Sequence, residues 1–538
     1  MTTKHQDKKN SMYIICTCRA ILHKLFEPPL CEFHGVLHSS AHCCRSLCFS
    51  AEADWSKIPL EEMVQSQIRS KYFSRTFEDD ERSVDGESDS RCVTVDHQAC
   101  QHLSQPPCYI TRLPVELLGE IFIHCIPLSQ PGDQNPVPRI EDAPMLLCHV
   151  CSHWRRIALS FTVLWSSFSG RCCGTYRNPT RERNVRVATE ALVQLWLERS
   201  HPHPISIDFP VSILPAVKRL LFANVHRWES VTTRLDDKFV RELMAITQAG
   251  APLVEDLCII GCVCDNTLRD IPALLLRFPN LRRLYYNNMR TPHAFFPNIP
   301  WSQMTHVTLC VDFPADQFMK SLSQCVVAEY IDIQWVCPSS TPIQSVLATL
   351  PRLAYLRIDS DAGDITLLDG FTLPSLRTLK FNTRSNLAHR NFGALEALAV
   401  RSSCTLETFH MEDLTILEED LIGYLRLPCL QALRELQISG PDMSDRILSL
   451  LAYPSTAPGD GSVFPRLERL HLRHIATTDG LLSDMIASRW GLTQGPASLT
   501  HVKLVLSLRL RGVLLHDIDV SRINELEKQG LSVSWSWF

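Results

Sequence analysis

The sequence predicts an α/β protein in three parts: a loosely ordered, disordered N-terminal tail, then a small all-helical module, then a solenoid built as a curved parallel sheet with outer helices. Three observations predict this. A phrase of the form apolar-x-x-apolar-x-apolar recurs about ten times through the second half of the chain. Two closely spaced amphipathic segments rich in Leu, Ile and Trp occupy residues 110–169. No sustained hydrophobic period runs through residues 1–105. The expected boundaries are 1–105 for the tail, 108–170 for the helical module and 184–538 for the repeats.

Composition narrows the function classes. The chain has 538 residues, 45% hydrophobic and 21% charged, as a folded soluble protein does. The net charge of −5 leaves no basic excess, so nucleic acid is not an expected partner. No apolar run reaches membrane-spanning length, so no membrane is expected either. The 22 cysteines fall below the density of disulfide scaffolds. Cys125, Cys151 and Cys258 sit in apolar positions, where a reduced cysteine acts as a small hydrophobe. A reducing compartment, cytoplasm or nucleus, is expected. The apolar stretch Met12–Leu22 is short, contains Arg19 and is followed by no A-x-A-like site, so it does not read as a secretory signal.

In the tail, a Cys/His-rich piece (Cys16, Cys18, Cys31, His34, His38, His42, Cys43, Cys44, Cys48) matches no zinc spacing. The acidic run Phe77–Ser90 reads as a solvated linker.

The helical module carries its own punctuation. Pro114 suits the first helical position, because its missing N–H has no helical partner there. Glu116 falls in the first turn, where the helix dipole favours a carboxylate. Leu117, Leu118, Ile121, Phe122 and Cys125 form one stripe, and Pro127 stops the helix. After the polar loop Leu128–Asp142, a second helix sets Leu147, Val150, Cys151, Trp154 and Ile157 on one side. Trp165 closes the module. A third amphipathic pattern runs from Asn184 to Arg199 and leads into a strand-like segment, Pro204–Phe209. The first two helices are too short to fill a core alone, which points to docking on a second surface.

The repeat phrase appears as Val254/Leu257/Ile259, Leu281/Leu284/Tyr286, Met304/Val307/Leu309, Ala328/Ile331/Ile333 and Leu353/Leu356/Ile358. It continues as Leu376/Leu379/Phe381, Leu406/Phe409/Met411, Leu433/Leu436/Ile438, Leu467/Leu470/Leu472 and Leu499/Val502/Leu504, with a degenerate copy at Trp228/Val231/Thr233. The spacing, roughly 23 to 34 residues, overlaps and slightly exceeds that of leucine-rich repeats. The alternation is that of strands with one buried face, and helical segments between copies cover the outer side.

No enzyme signature is present. The chain lacks a phosphate-binding P-loop, a dinucleotide fingerprint, H-E-x-x-H and G-x-S-x-G. Cys148-His149-Val150-Cys151-Ser152-His153 resembles a metal nest, but it lies within the second helix and no second Cys/His pair follows at finger spacing. Cys262 and Cys264 read as incidental turn residues. Asp332 and Asp359 fall on adjacent strands, where a polar binding surface is a better reading than acid–base chemistry. No catalytic residue, metal or cofactor is assigned.

The run Leu113-Pro114-x-Glu116-Leu117-Leu118-x-x-Ile121-Phe122, then Val150-Cys151-x-x-Trp154-Arg155-x-Ile157-Ala158 and Leu164-Trp165, resembles the F-box, in the F-box-like form abundant in mushroom-forming fungi. With the repeats, the chain from about residue 110 onward is similar to F-box/leucine-rich-repeat proteins. The resemblance implies a substrate-recognition subunit of an SCF-type cullin–RING ubiquitin ligase. The F-box would dock on the Skp-type adaptor, and through it on the cullin and RING subunits. The repeats would hold a protein substrate, with no covalent chemistry of their own. Carried over position by position, adaptor contacts centre on Leu113, Pro114, Leu118, Ile121, Val150, Cys151 and Trp154. The loop between the helices is longer than in a minimal F-box.

The residues between the inward apolar positions face the concave side. Tyr330, Asp332, Tyr355, Arg357 and Asp359 give its middle a Tyr- and Asp-bearing character. Arg469, His471, Arg473 and Lys503 make the last recognised strands basic, which points to acidic or phosphorylated cargo there. The competing reading is a repeat scaffold that binds a partner with no ligase link.

Overall fold

The computed structural model describes residues 113–126, 135, 138, 142–169, 179–209, 213–235, 237–245, 250–262, 271–288, 299–338, 347–361, 365–383, 393–413, 415–453, 463–475, 477–491, 498–506 and 516–537. The expected tail, with its Cys/His piece and acidic run, lies outside the described residues, as do Pro127 and Cys264. The chain divides into two compact units, Met1–Trp228 and Glu229–Phe538.

In the first unit, helix α1 spans Val115–His124. Pro114 is its N-cap (φ −52°, ψ 148°) rather than its first helical residue. The expected second helix is broken into α2 (Leu147–Val150) and α3 (Ser152–Ser160). Cys151 is fully extended at the break (φ −160°, ψ 170°), and its Sγ accepts the backbone N–H of Trp154 at 3.4 Å. It thereby satisfies one of the donors that the start of a helix leaves open. Arg155 Nε donates to Cys148 O at 2.8 Å, tying α3 back to α2. A 3₁₀ turn (Thr162–Trp165) and strand β1 (Ser167–Ser169) follow, so the 108–170 segment is not all-helical. β1 pairs in parallel with β2 (Ile205–Phe209), Ser167 opposite Ser206. Between them, α4 (Pro179–Arg199) starts earlier than its amphipathic pattern suggests; α5 is Pro215–Ala223.

Aromatic side chains fill this unit. Phe122 packs on Trp154 with ring centroids 4.9 Å apart, and Trp165 meets Trp196 edge-on at 4.9 Å. Trp165 Nε1 donates to Ala158 O at 2.9 Å, so its polar handle is satisfied inside the core. A Cβ on Gly119 would collide with the Phe161 ring, which explains a glycine in the middle of α1. Buried Arg227 donates to Leu197 O, His203 O and Ser200 Oγ, joining the end of α4 to the turn before β2.

The second unit is a long parallel sheet whose strand order follows chain order. It runs β3 (Trp228–Leu235), β4 (Asp256–Cys262), β5 (Arg283–Asn287), β6 (His306–Pro314), β7 (Tyr330–Cys337) and β9 (Tyr355–Ser360). It continues through β11 (Thr378–Thr383), β12 (Thr408–Asp413), β13 (Glu435–Met443), β14 (Arg469–Ile475), β15 (His501–Leu506) and β16 (Ser532–Trp537). Sequential order means that each unit stacks on the one before it. The repeat phrases coincide with these strands, and every apolar position of the ten phrases is buried. Leu257, Leu284, Val307, Ile331, Leu356, Leu379, Phe409, Leu436, Leu470 and Val502 lie in register across the sheet. A second ladder joins the turns before the strands: Arg282 N–H bonds to Glu255 O, Glu329 N–H to Thr305 O, Arg377 N–H to Ala354 O, and Glu468 N–H to Arg434 O.

The connections are less uniform than expected. Helices α6 (Asp237–Met244), α7 (Ala315–Gln324), α8 (Gly393–Ser402), α9 (Glu418–Leu425), α10 (Asp445–Leu451), α11 (Leu481–Arg489) and α12 (Asp517–Lys528) lie between strands. On either side of β9, among the described residues, the short strands β8 (Ala348–Thr349) and β10 (Phe371–Thr372) pair with each other in parallel, with a 3₁₀ turn (Ile365–Leu368) before β10. The widest phrase spacing, from Leu433 to Leu467, is accommodated by Arg489. Its guanidinium, 3% exposed, donates to Leu451 O, Val463 O and Phe464 O, so it ties together the two ends of the 454–462 insertion. Burial pushes its pKa down to about 10.

Replacing Leu436 (0% exposed) by Ala should cost about 2–5 kcal/mol of unfolding free energy. Leu417→Ala, at a side chain 67% exposed, should change it by less than about 0.5 kcal/mol. Denaturant melts of the two variants check this; equal destabilisation would contradict the inward ladder.

Candidate protein-binding surfaces

Two surfaces carry the residues singled out in the sequence. The first is on the helices of the first unit. Pro114, Val150 and Cys151 are exposed, and Leu113 and Ile121 are half-buried. Leu118 (0% exposed) and Trp154 (4%) are buried within the unit itself, whereas the adaptor contacts implied by the resemblance would need them accessible. Phe122 covers the Trp154 ring, and the break at Cys151 gives α3 its own start. The exposed apolar side chains of α1 are instead Val115 (43%) and Leu117 (52%). Leu117 belongs to the apolar stripe read from the sequence, and Val115 does not. Both lie within the F-box-like run, but a helical period alone does not say which flank of the stripe faces solvent.

The Cys/His cluster does not converge on a metal. Cys148 is buried, and that burial pushes its thiol up to about 11, against the pull of Arg155 and Arg199. Cys151 is exposed and committed to its cap, and His149 is exposed. Among the described residues, the one grouping of three metal-ligating types is Asp479, His516 and Asp519. Asp479 accepts the backbone N–H groups of Ile518 and Asp519 at 3.0 Å each. Asp519 Oδ1 accepts Ser483 N–H at 2.7 Å, and its Oδ2 lies 2.9 Å from His516 Nδ1. These carboxylates cap α12 and join it to α11, and a helix N-terminus favours anions over cations.

The second surface is the polar face of the sheet. Register aligns three rows of side chains. One reads Tyr330, Tyr355, Thr378, Thr408, Glu435, Arg469, His501, Ser532. The next reads Asp332, Arg357, Lys380, His410, Gln437, His471, Lys503, Ser534. The third reads Asp359, Asn382, Glu412, Ser439, Arg473, Val505, Ser536.

The five residues expected in the middle of this face come together. Tyr330 stacks on Tyr355 (4.2 Å, 12°) and on His306 of the neighbouring strand (5.8 Å, 16°). Lys380 Nζ sits 5.5 Å from the Tyr355 ring centroid. Arg357 forms a fork on Asp359 (Nε–Oδ1 3.2 Å, a second N–H to Oδ2 at 2.8 Å) and lies 3.9 Å from Asp332. Tyr330 Oη and Gln334 Nε2 each donate to Asp332 at 3.4 Å. Burial raises the Asp332 carboxyl, and Arg357 works against that rise. Burial likewise pushes both tyrosine phenols up and Lys380 down. The result is a half-buried aromatic shelf with its charges internally answered. No nucleophile–base pair is aimed at an open position among these residues.

At the other end, the expected basic strands are largely neutralised. Arg469 pairs with Glu435 at 2.7 Å, and Arg473 lies 3.5 Å from Glu412. His410 Nε2 is 2.9 Å from the other Glu435 oxygen. That bond, helped by Arg469 and opposed by burial, holds the Glu435 carboxyl at about 2. His471 is pushed down to about 4 by burial and by Lys503, Arg473 and His410, with Glu435 opposing.

No helix among the described residues is long and apolar enough to cross a membrane. No protein-family model matches the chain, and no curated protein matches it.

The position of Glu435 sets a pH dependence. Its folded-state value lies below the ordinary 4.5, so its ionised form stabilises the fold above that pH. The contribution fades as pH falls from about 4.5 towards 2. Glu435→Gln should flatten this limb of an acid-unfolding curve; an unchanged slope would contradict the assignment.

Proposed function

We propose that this chain is the substrate-recognition subunit of an SCF-type cullin–RING ubiquitin ligase. In this reading, the helices of the first unit dock on a Skp-type adaptor, which brings the cullin and RING subunits. The polar face of a curved leucine-rich-repeat solenoid holds the protein substrate. The chain performs no covalent chemistry itself and needs no cofactor. The reading rests on the F-box-like run of residues, and the observation that carries it is the exposure of Val115, Leu117 and Val150 on those helices. Exposed aliphatic side chains on short helices suit a helix-in-groove contact. The adaptor-facing set then shifts from the inner flank of α1 to its outer flank: Pro114, Val115 and Leu117, with Val150 and Cys151 from the second helical segment. Leu118 and Trp154 hold these helices from behind.

The burial of Trp154 favours the second reading to this extent: the aromatic anchor expected of a strong interface is not presented. In that reading the chain is a leucine-rich-repeat scaffold that binds proteins without a ligase.

Val115→Asp combined with Leu117→Asp should abolish co-purification with a Skp-type adaptor while leaving the thermal melt of the chain within a few degrees of the parent. Trp154→Ala should instead lower the melting temperature, because it empties a core site worth about 3–5 kcal/mol. Adaptor capture that survives the double aspartate variant, or is absent from the parent chain, would favour the scaffold.

A further inference from the structure

We propose that the row His471–Lys503–Ser534, on β14, β15 and β16, is a carboxylate-binding site for an acidic peptide segment, and that His471 takes up a proton when the carboxylate binds. The inference names a cargo class for the polar face and so rests on the binding half of the proposed function; it does not depend on the adaptor.

The three residues are direct register neighbours, about 4.8 Å apart from strand to strand. Their spacing therefore matches one or two side chains of an extended peptide laid across the sheet. His471 Nε2 has no hydrogen-bond partner although the atom is buried. A buried ring nitrogen without a partner is costly unless something fills the position. Lys503 is exposed and, among the described residues, enters no ion pair. Ser534 is exposed and offers a hydroxyl beside it.

The surrounding charges leave these groups unanswered. On β12 stand His410 and Glu412, on β13 Glu435, on β14 Arg469 and Arg473, and on β15 His501. Both carboxylates are taken: Glu435 by His410 and Arg469, Glu412 by Arg473. β16 contributes only Ser532, Ser534 and Ser536 to this face, with no charge of either sign. The local field is therefore positive, consistent with the depressed His471. A carboxylate held by the exposed Lys503 and Ser534 would reverse the charge balance around the neighbouring His471 ring and favour its imidazolium form. Binding and proton uptake are thus linked: affinity rises as pH falls from neutral towards the free-state value of His471. An arginine cluster free of its own acids would bind anions with no such signature.

The test uses the full chain and two labelled peptides of about ten residues, one alternating Glu and Ser, the other Gln and Ser. Fluorescence anisotropy follows binding at pH 7, 6 and 5, above the ordinary glutamate range of about 4.3. The Glu peptide should bind about tenfold tighter at pH 5 than at pH 7, and the Gln peptide at least tenfold more weakly than the Glu peptide at pH 5. Calorimetry in two buffers of different ionisation enthalpy should report proton uptake. His471→Gln should remove the pH dependence, and Lys503→Gln should weaken binding at every pH. Ser534→Asp, at an exposed position on a neighbouring strand, should abolish Glu-peptide binding while keeping the parent melt and adaptor capture. The proposal falls if the Glu peptide fails to bind or binds no better than the Gln peptide. It also falls if the pH dependence survives His471→Gln, or if Ser534→Asp binds the Glu peptide normally. Loss of adaptor capture alone would count against the ligase reading and leave this site standing.

Discussion

A strand with two inward apolar side chains cannot bury them alone, and the second unit depends on that constraint. Each phrase buries its pair, and Leu356 with Ile358 and Leu436 with Ile438 are 0% exposed. Burying one such side chain contributes about 1.5–3 kcal/mol, so a register slip of one residue would turn favourable burial into exposure along a whole strand. The turn ladder that joins Glu255, Arg282, Thr305 and Glu329 through their backbones fixes the same register from the strand entrance. Once the inward rows are fixed, the outward rows are fixed too, and the polar face follows from the core.

That face is mostly self-answering. Arg357 with Asp332 and Asp359, Arg469 with Glu435, and Arg473 with Glu412 are close ion pairs within the sheet. The more exposed pairs, at Arg469 and Arg473, add little to stability, but all of them lower the net charge of the face. Under the proposed function, recognition falls to the exceptions: the stacked shelf of His306, Tyr330 and Tyr355, and the row at His471 and Lys503. In the first unit the division is sharper. Phe122, Trp154, Trp165 and Trp196 hold the unit together, while Val115, Leu117 and Val150 stay exposed.

The period-two alternation made the strands legible, because ten weak copies in one register outweigh any single one. β16 was not legible, since Leu531, Val533 and Trp535 do not keep the leucine spacing, and its place shows only when Val533 lies opposite Val502. The break at Cys151 depends on a side-chain sulfur accepting a backbone N–H three residues on, which no hydrophobic pattern encodes. The middle of the polar face was legible residue by residue because alternate positions share a side. Its charge balance was not: Arg469 meets Glu435 across 34 residues of chain, and only the register brings the pair together. The flank of α1 that meets solvent was misjudged because Leu117 and Leu118 are adjacent in an apolar run, and only packing distinguishes them.

In the proposed ligase reading, a second protein covers the outer flank of α1 and the start of α3. Hydrogen–deuterium exchange of the full chain, with and without a Skp-type adaptor, reads this most directly. Slowed exchange confined to residues 113–126 and 147–160, with the strands of the second unit unchanged, is the result expected. Protection that appears on the sheet instead, or no change anywhere at saturating adaptor, would contradict it.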